Sequence, residues 1–159
     1  MAQILCSTGA LIGRPNNRDY RILRDVCHKL NCDGFEFMMY STWYGLEGDI
    51  LKFLLELNIN IPVMHCEKHI GEYISKGSKE DLAEAVRRFE INCKMAKALS
   101  VHKMVVHLWD GVTSDSNFSN NLLNLLYPYF LYFAPWTKIF LIAYCFISTC
   151  LYIVNFPRI

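Results

Sequence analysis

The chain has 159 residues, 53% of them hydrophobic, and a formal net charge of +1, which suffices for one ordinary domain with a buried core. A charge this close to zero does not favour nucleic acid or an anionic membrane surface as a partner. The seven cysteines are odd in number and form no C-x-x-C pair, so they predict reduced thiols in a cytoplasmic protein. The first residues lack the basic segment of a signal peptide and predict a strand instead.

Composition divides the chain into two regions. All fifteen acidic residues lie at or before Asp115 and all eight glycines at or before Gly111. Residues 118–159 hold twelve of the twenty-two aromatic residues and only two charged ones. We therefore expect one domain over residues 1–117 and an apolar, helical tail over 118–159. Two explanations of the tail stay open: a membrane-associated segment, or an aberrant, out-of-frame end.

Strand-like apolar runs and helical spacings alternate along the first region. Glycine and proline residues break the connections between them. Such alternation with short connections predicts an α/β fold with parallel strands in the order 1-2-3-4. The segment 68–77 is expected to be a loop. The predicted strands lie near 3–8, 35–40, 61–66 and 104–108, and the predicted helices near 19–30, 49–57 and 78–99.

The third and fourth predicted strands each end in a histidine, His65 and His107. The carboxyl ends of parallel strands meet at one edge of the sheet, where the sites of α/β folds lie. Two neutral imidazoles there could ligate a divalent metal, and Glu36, Glu67 or Asp110 could complete the site. Alternatively, each histidine only makes hydrogen bonds within the rim. The matched positions favour a functional pair.

Other polar and aromatic residues have two interpretations that stay open. Glu36 interrupts an apolar strand, so it is either a carboxylate that serves the site or one half of a salt bridge. Trp43, Tyr44 and Trp109 could form an apolar wall against the flat face of a sugar. Such residues more often pack loops against the core.

Several charged residues are expected to be solvated, and several motifs are absent. His69 falls in the expected loop, while Arg87 and Arg88 predict the exposed face of a helix. The sequence contains no G-x-G-x-x-G and no G-x-S-x-G. Nothing therefore indicates a dinucleotide-binding fold or a serine hydrolase.

Three segments together resemble one known family. They are Gly34-Phe35-Glu36-Phe37, Pro62-Val63-Met64-His65 and Val105-Val106-His107-Leu108-Trp109-Asp110-Gly111. In order and spacing, residues 3 to about 117 resemble the xylose isomerase-like sugar phosphate isomerase/epimerase barrels. That superfamily also holds zinc-dependent AP endonucleases of the endonuclease-four type. The resemblance implies that the region forms the first four βα units of a (β/α)₈ TIM barrel.

The resemblance also implies an activity and a set of site residues. The activity would be metal-assisted isomerisation or epimerisation of a small sugar or sugar phosphate, with zinc, manganese or magnesium as the cofactor. His65 and His107 correspond to zinc ligands of the endonuclease-like branch. Glu36 and Glu67 are the expected catalytic carboxylates. The residues expected to bind substrate are Trp43, Trp109 and Asp110.

The isomerase branch holds its metal mainly through residues of strands five to eight, which nothing after Gly111 resembles. The chain is therefore expected to lack the catalytic half of the barrel, to be inactive as written, and to self-associate through its open sheet edge and its tail. One alternative is an AP endonuclease-like phosphodiesterase, which the near-zero charge disfavours. Another is a non-enzymatic fragment, with membrane contact through 139–156 as an alternative to a cytoplasmic location.

Overall fold

The computed structural model describes residues 3–107 and the backbone of 144–146 and 149–155. These residues form a mixed α/β fold in which helices alternate with the strands of a parallel sheet. The strands are β1 (Leu5–Ser7), β2 (Gly34–Met38), β3 (Val63–His65), β4 (Lys103–His107), β5 (Tyr144–Phe146) and β6 (Thr149–Asn155). The α-helices are α1 (Thr8–Leu11), α2 (Leu23–Val26), α3 (Glu47–Leu57), α4 (His69–Lys76) and α5 (Lys79–Ala98).

Strands β1 to β4 are parallel neighbours in the order 1-2-3-4. Register places Ser7 beside Glu36 and Glu36 beside Val63, while His65 lies beside Val105. Residues paired in this way share a face of the sheet, and side chains alternate between faces along each strand. The prediction of four parallel strands in chain order is confirmed.

The described part of the tail is strand rather than helix. Strand β6 pairs antiparallel with β4, and β5 pairs antiparallel with β6. The helical prediction is therefore wrong for these two segments, which are rich in the β-branched and aromatic residues that favour strands. Strand β6 also covers the edge of the sheet at β4, because it binds the backbone groups that an edge strand would expose. The rest of residues 108–159 lies outside the described part.

Helix α4 occupies the segment that the sequence analysis assigns to a loop over residues 68–77. Ile70 and Ile74, one turn apart, are both buried, so the helix has an apolar side to pack. Gly77 ends it with φ of 70°, a left-handed conformation that glycine adopts at little cost. The prediction of a loop is wrong for His69–Lys76, where the helix places the two isoleucines on one side and buries both.

The predicted first helix is broken into short pieces. Helix α2 is flanked by 3₁₀ segments over Tyr20–Ile22 and Cys27–Lys29. Helices α3 and α5 match their predicted positions, and Ser78 caps α5 by accepting a hydrogen bond from the Asp81 amide at 3.0 Å. Within the described residues, no helix is both long and apolar enough to cross a membrane.

The two faces of the parallel sheet differ in chemistry. One face carries large apolar side chains that are buried with the helices in the core: Phe35, Phe37, Met64, Met104 and Val106. The other carries Ser7, Glu36, Val63, His65 and His107, which register and alternation place on the same side. The fold therefore brings the polar candidates onto one face.

Candidate functional site

His65 and His107 form the centre of the site. Each ends its strand, and their Nε2 atoms lie 2.9 Å apart. Both residues are buried, with 7% and 8% of their surface exposed. The structure thus brings together the two histidines that the sequence analysis singled out, and it aims the same nitrogen of each ring at the other.

The hydrogen bonds of the pair define how the protons are placed. Nδ1 of His65 lies 3.2 Å from the carbonyl oxygen of Cys66. A carbonyl oxygen only accepts, so Nδ1–H donates and Nε2 of His65 carries the free lone pair. Nε2–H of His107 then donates to it. Burial lowers the pKa of His65, although the Cys66 carbonyl and the Glu36 carboxylate act in the opposite direction. His65 is therefore held in the neutral form that binds metals.

Glu36 is the carboxylate next to this pair. Its Oε1 atom lies 3.9 Å from Nε2 of His65, and 28% of its side chain is exposed. That separation is too long for a direct hydrogen bond. A water molecule or a ligand oxygen could bridge the two groups. Of the two interpretations of Glu36, the geometry fits a carboxylate that faces a shared ligand better than a tight salt bridge.

Glu67, the second expected catalytic carboxylate, belongs to a different cluster. It is 2% exposed. Its Oε2 accepts a hydrogen bond from Nη1 of Arg88 at 2.9 Å, and its Oε1 accepts one from the His69 amide at 2.8 Å. The His69 imidazole also bonds Oε1. Both oxygens are therefore engaged by groups other than the histidine pair.

Arg88 is the residue that the sequence analysis placed wrongly. Its side chain is 14% exposed, whereas that of Arg87 is 50% exposed, so only Arg87 lies on a solvated face. The signal was weak, since two adjacent arginines look alike in a sequence. The helical repeat gave the one available indication. Arg88 lies one turn from Ala85 and from Asn92, both of which are buried, so the three residues share the inner face of the helix.

The two aromatic candidates within residues 3–107, Trp43 and Tyr44, make their contacts elsewhere than at the pair. Trp43 is 3% exposed. Its ring packs on Phe37, Tyr40 and Tyr20, and its indole N–H donates to the Arg18 carbonyl at 2.9 Å. Trp43 therefore packs in the core, as in the second of the two interpretations given for it, and does not form a wall for a sugar. Trp109 and Asp110 lie outside the described residues.

Tyr44 belongs to the cluster that Arg88 forms with Glu67 and Glu84. Its hydroxyl accepts a hydrogen bond from Nδ2 of Asn92 at 3.0 Å, and the Arg88 guanidinium lies 4.8 Å from the centre of its ring. Burial raises the pKa of the Tyr44 hydroxyl. Tyr44 is therefore kept in its neutral form.

The donors at the pair suit zinc, but the set is incomplete. Residues 3–107 contain no group of three or more His, Cys, Asp or Glu arranged to hold a metal ion. Two imidazole nitrogens on one tetrahedral zinc ion lie roughly 3.3 Å apart, so the pair would need to separate by only a few tenths of an ångström. Glu36 is the nearest available carboxylate. Any further ligand would come from beyond residue 107, from water or from substrate.

The chain was compared with known proteins in three ways. A scan against protein-family models, a search of curated proteins and a search of solved structures each gave no match. The activity of the chain is therefore inferred from the histidine pair and its neighbours.

Proposed function

We propose that the chain is a sugar phosphate isomerase/epimerase-like protein built on the first four βα units of a TIM barrel. In this proposal the pair His65 and His107 holds a divalent metal, and the face around it receives a small sugar or sugar phosphate. One observation supports it above all. Two Nε2 atoms approach to 2.9 Å at the carboxyl ends of adjacent parallel strands, the position at which α/β barrels place their chemistry.

The metal would be held by Nε2 of both histidines, with Glu36 as the third protein ligand after a small shift. The proton that His107 carries on Nε2 would first move to Nδ1 of the same ring or to solvent, because a metal binds only the bare nitrogen. Bound zinc, manganese or magnesium would polarise the oxygens of a sugar. The chain's own residues supply the orientation. The Cys66 carbonyl holds the Nδ1–H of His65, so the lone pair on Nε2 points into the site. Burial lowers the pKa of His65 and keeps that nitrogen unprotonated.

In this proposal Glu36, whose Oε1 lies 3.9 Å from Nε2 of His65, is the carboxylate of residues 3–107 that acts on a sugar at the pair. It would accept a hydrogen bond from a sugar hydroxyl or take a proton from the carbon next to a carbonyl. The oxygens of Glu67 are engaged by Arg88 and His69, so Glu67 is not available as a second base. Residues 118–159 contain no Asp, Glu or His. We therefore propose ligand binding without appreciable turnover by this chain.

The second candidate is an AP endonuclease-like zinc phosphodiesterase. Histidines at the ends of the third and fourth strands are the zinc ligands of that branch, and the same two positions meet here. The net charge of +1 offers little attraction to a DNA backbone, which makes this candidate the weaker one. A non-enzymatic binding protein is the third.

Zinc titration of the purified full-length chain tests the proposal. We expect one zinc ion to bind per chain, and we expect His65→Ala and His107→Ala each to weaken binding by about tenfold or more. His28→Ala is the matched control, because His28 is exposed. Ketose and aldose phosphates are then added to the loaded protein and should bind without being converted.

Two outcomes would contradict this. Equal zinc affinity in the parent chain and in His107→Ala would show that the pair is not the metal site. Cleavage of abasic DNA, lost in the same variant, would favour the phosphodiesterase. Because the control removes a histidine of the same chemistry, unspecific binding by surface imidazoles is separated from binding at the pair.

A further inference from the structure

Strand β3 ends at the ligand candidate His65, and the chain at this point is held from three directions. The carbonyl of His65 accepts a hydrogen bond from the Met39 amide at 3.0 Å, which ties it to the end of β2. The Cys66 amide donates to the Val105 carbonyl of β4 at 2.9 Å. The third attachment is made by Glu67, whose carboxylate pairs with Arg88 on α5.

Arg88 is itself held rigidly. Its guanidinium lies between two aromatic rings, 4.8 Å from the centre of Tyr44 and 4.5 Å from that of Tyr73. Its Nε donates to Oε1 of Glu84 at 2.7 Å while its Nη1 donates to Glu67 at 2.9 Å. A guanidinium held by two carboxylates and two rings has little freedom to move. It is therefore a fixed point for the segment after β3.

The connection to the histidine pair runs through one peptide group. The carbonyl of Cys66 belongs to the same planar unit as the amide of Glu67. That carbonyl is the acceptor for Nδ1–H of His65. The Glu67 carboxylate is anchored by Arg88 and by the His69 amide. These bonds restrict rotation of this peptide, and with it the direction of the oxygen that selects the proton position of His65.

We propose that Glu67 and Arg88 are positioning residues for His65. They hold the Cys66 carbonyl so that His65 keeps its proton on Nδ1 and turns Nε2 toward His107. This role replaces the expected role of Glu67 as a catalytic carboxylate. It rests on the proposed function of the pair only in so far as that pair binds metal, because the position of the proton is set with or without a ligand.

The proton on His65 can be observed directly. In ¹⁵N-labelled full-length chain, long-range ¹H–¹⁵N spectra distinguish a protonated ring nitrogen from a bare one, so they report which nitrogen of His65 carries hydrogen. Arg88→Met removes the fixed point, and Glu67→Gln removes the charge that binds it. Arg87→Met is the matched control, because Arg87 also bonds Glu84 and lies over the ring of Tyr44. Within residues 3–107, the hydrogen bonds of Arg87 go to Glu84 and not to Glu67.

We expect His65 to carry its proton on Nδ1 alone in the parent chain and in Arg87→Met. In Arg88→Met and Glu67→Gln we expect a mixture of the two proton positions, together with zinc binding weakened by about tenfold. Folded variants that keep the Nδ1–H form and bind zinc within twofold of the parent would overturn the proposal. If Arg88→Met does not fold, Glu67→Gln decides by the same two readouts.

The two proposals fail separately. A parent chain that binds no zinc would remove the proposed metal site, and the spectra of His65 would still decide whether Glu67 and Arg88 position it. A parent chain that binds zinc with unchanged spectra in both variants would leave the site standing and remove the positioning role.

Discussion

Two buried polar clusters lie within a few residues of each other and differ in the kind of contact that their groups make. Around Arg88, every charge has a close opposite partner: Glu67 at 2.9 Å and Glu84 at 2.7 Å. At the histidine pair, two imidazoles face each other and the nearest carboxylate, Glu36, is 3.9 Å away. Paired opposite charges hold structure in place, whereas neutral imidazoles are groups that bind metal ions.

The largest expected effect is on stability, and it concerns the charged cluster around Arg88. Arg88→Met leaves the Glu67 carboxylate buried without its partner, so we expect a loss of about 3–5 kcal/mol in the free energy of unfolding. Urea denaturation followed by circular dichroism measures it. Arg87→Met, at a half-exposed position, should cost no more than about 1 kcal/mol. Equal losses in the two variants would contradict the distinction between a buried and a solvated arginine.

The next prediction compares metal affinity with stability. His107→Ala should weaken zinc binding by about tenfold or more. It should change the free energy of unfolding less than Arg88→Met does, because it leaves no uncompensated charge. Zinc titration and urea denaturation of the same two variants provide both numbers. A His107→Ala variant that unfolds like Arg88→Met would show that the pair is structural too.

A smaller effect depends on pH. Burial lowers the pKa of His65 in the folded chain, so the unfolded chain binds more protons once the pH falls below the ordinary histidine value of about 6.5. The contribution of His65 to stability is therefore fully present above that pH and is lost as the pH falls further. Urea midpoints between pH 8 and pH 5.5 should fall more steeply in the parent than in His65→Gln. Parallel curves would contradict this.

The smallest prediction tests how closely the start of β2 packs against its neighbours at Gly34. A Cβ atom on Gly34 would lie 3.0 Å from the Asn60 carbonyl oxygen and 3.0 Å from Cδ of Pro62, so Gly34→Ala should destabilise the chain by about 1–3 kcal/mol. Gly48 lies in α3 with open space around it, so Gly48→Ala should stabilise by about 0.5–1 kcal/mol. Thermal unfolding compares the two. Stabilisation by both substitutions would show that β2 and its neighbours can shift apart.

The histidine pair could be predicted from the sequence because it depends on local patterns. Short, continuous apolar runs define β3 and β4, and a histidine at the end of each must lie at the same edge of a parallel sheet. The partners of Glu67 could not be predicted, since its pairing with Arg88 joins residues 21 positions apart. That contact depends on how α5 is rotated against β3, which no single segment determines.

The described tail segments show a second limit. A long apolar and aromatic stretch fits a helix or a buried strand equally well by periodicity. Strand β6 becomes a strand because the free edge of β4 offers it backbone partners from Lys103 to His107. The conformation of this segment therefore depends on its pairing with β4, which is distant in the sequence. Local propensity does not include such a contact.

The central claim is that Nε2 of His65 and Nε2 of His107 bind one metal ion. Zinc K-edge X-ray absorption of the full-length chain, loaded with one equivalent of zinc, tests it most directly. We predict two imidazole nitrogens at about 2.0–2.1 Å from the ion, falling to one in His107→Ala and remaining two in His28→Ala. A zinc shell made of oxygen atoms alone, or one that His107→Ala leaves unchanged, would contradict the claim.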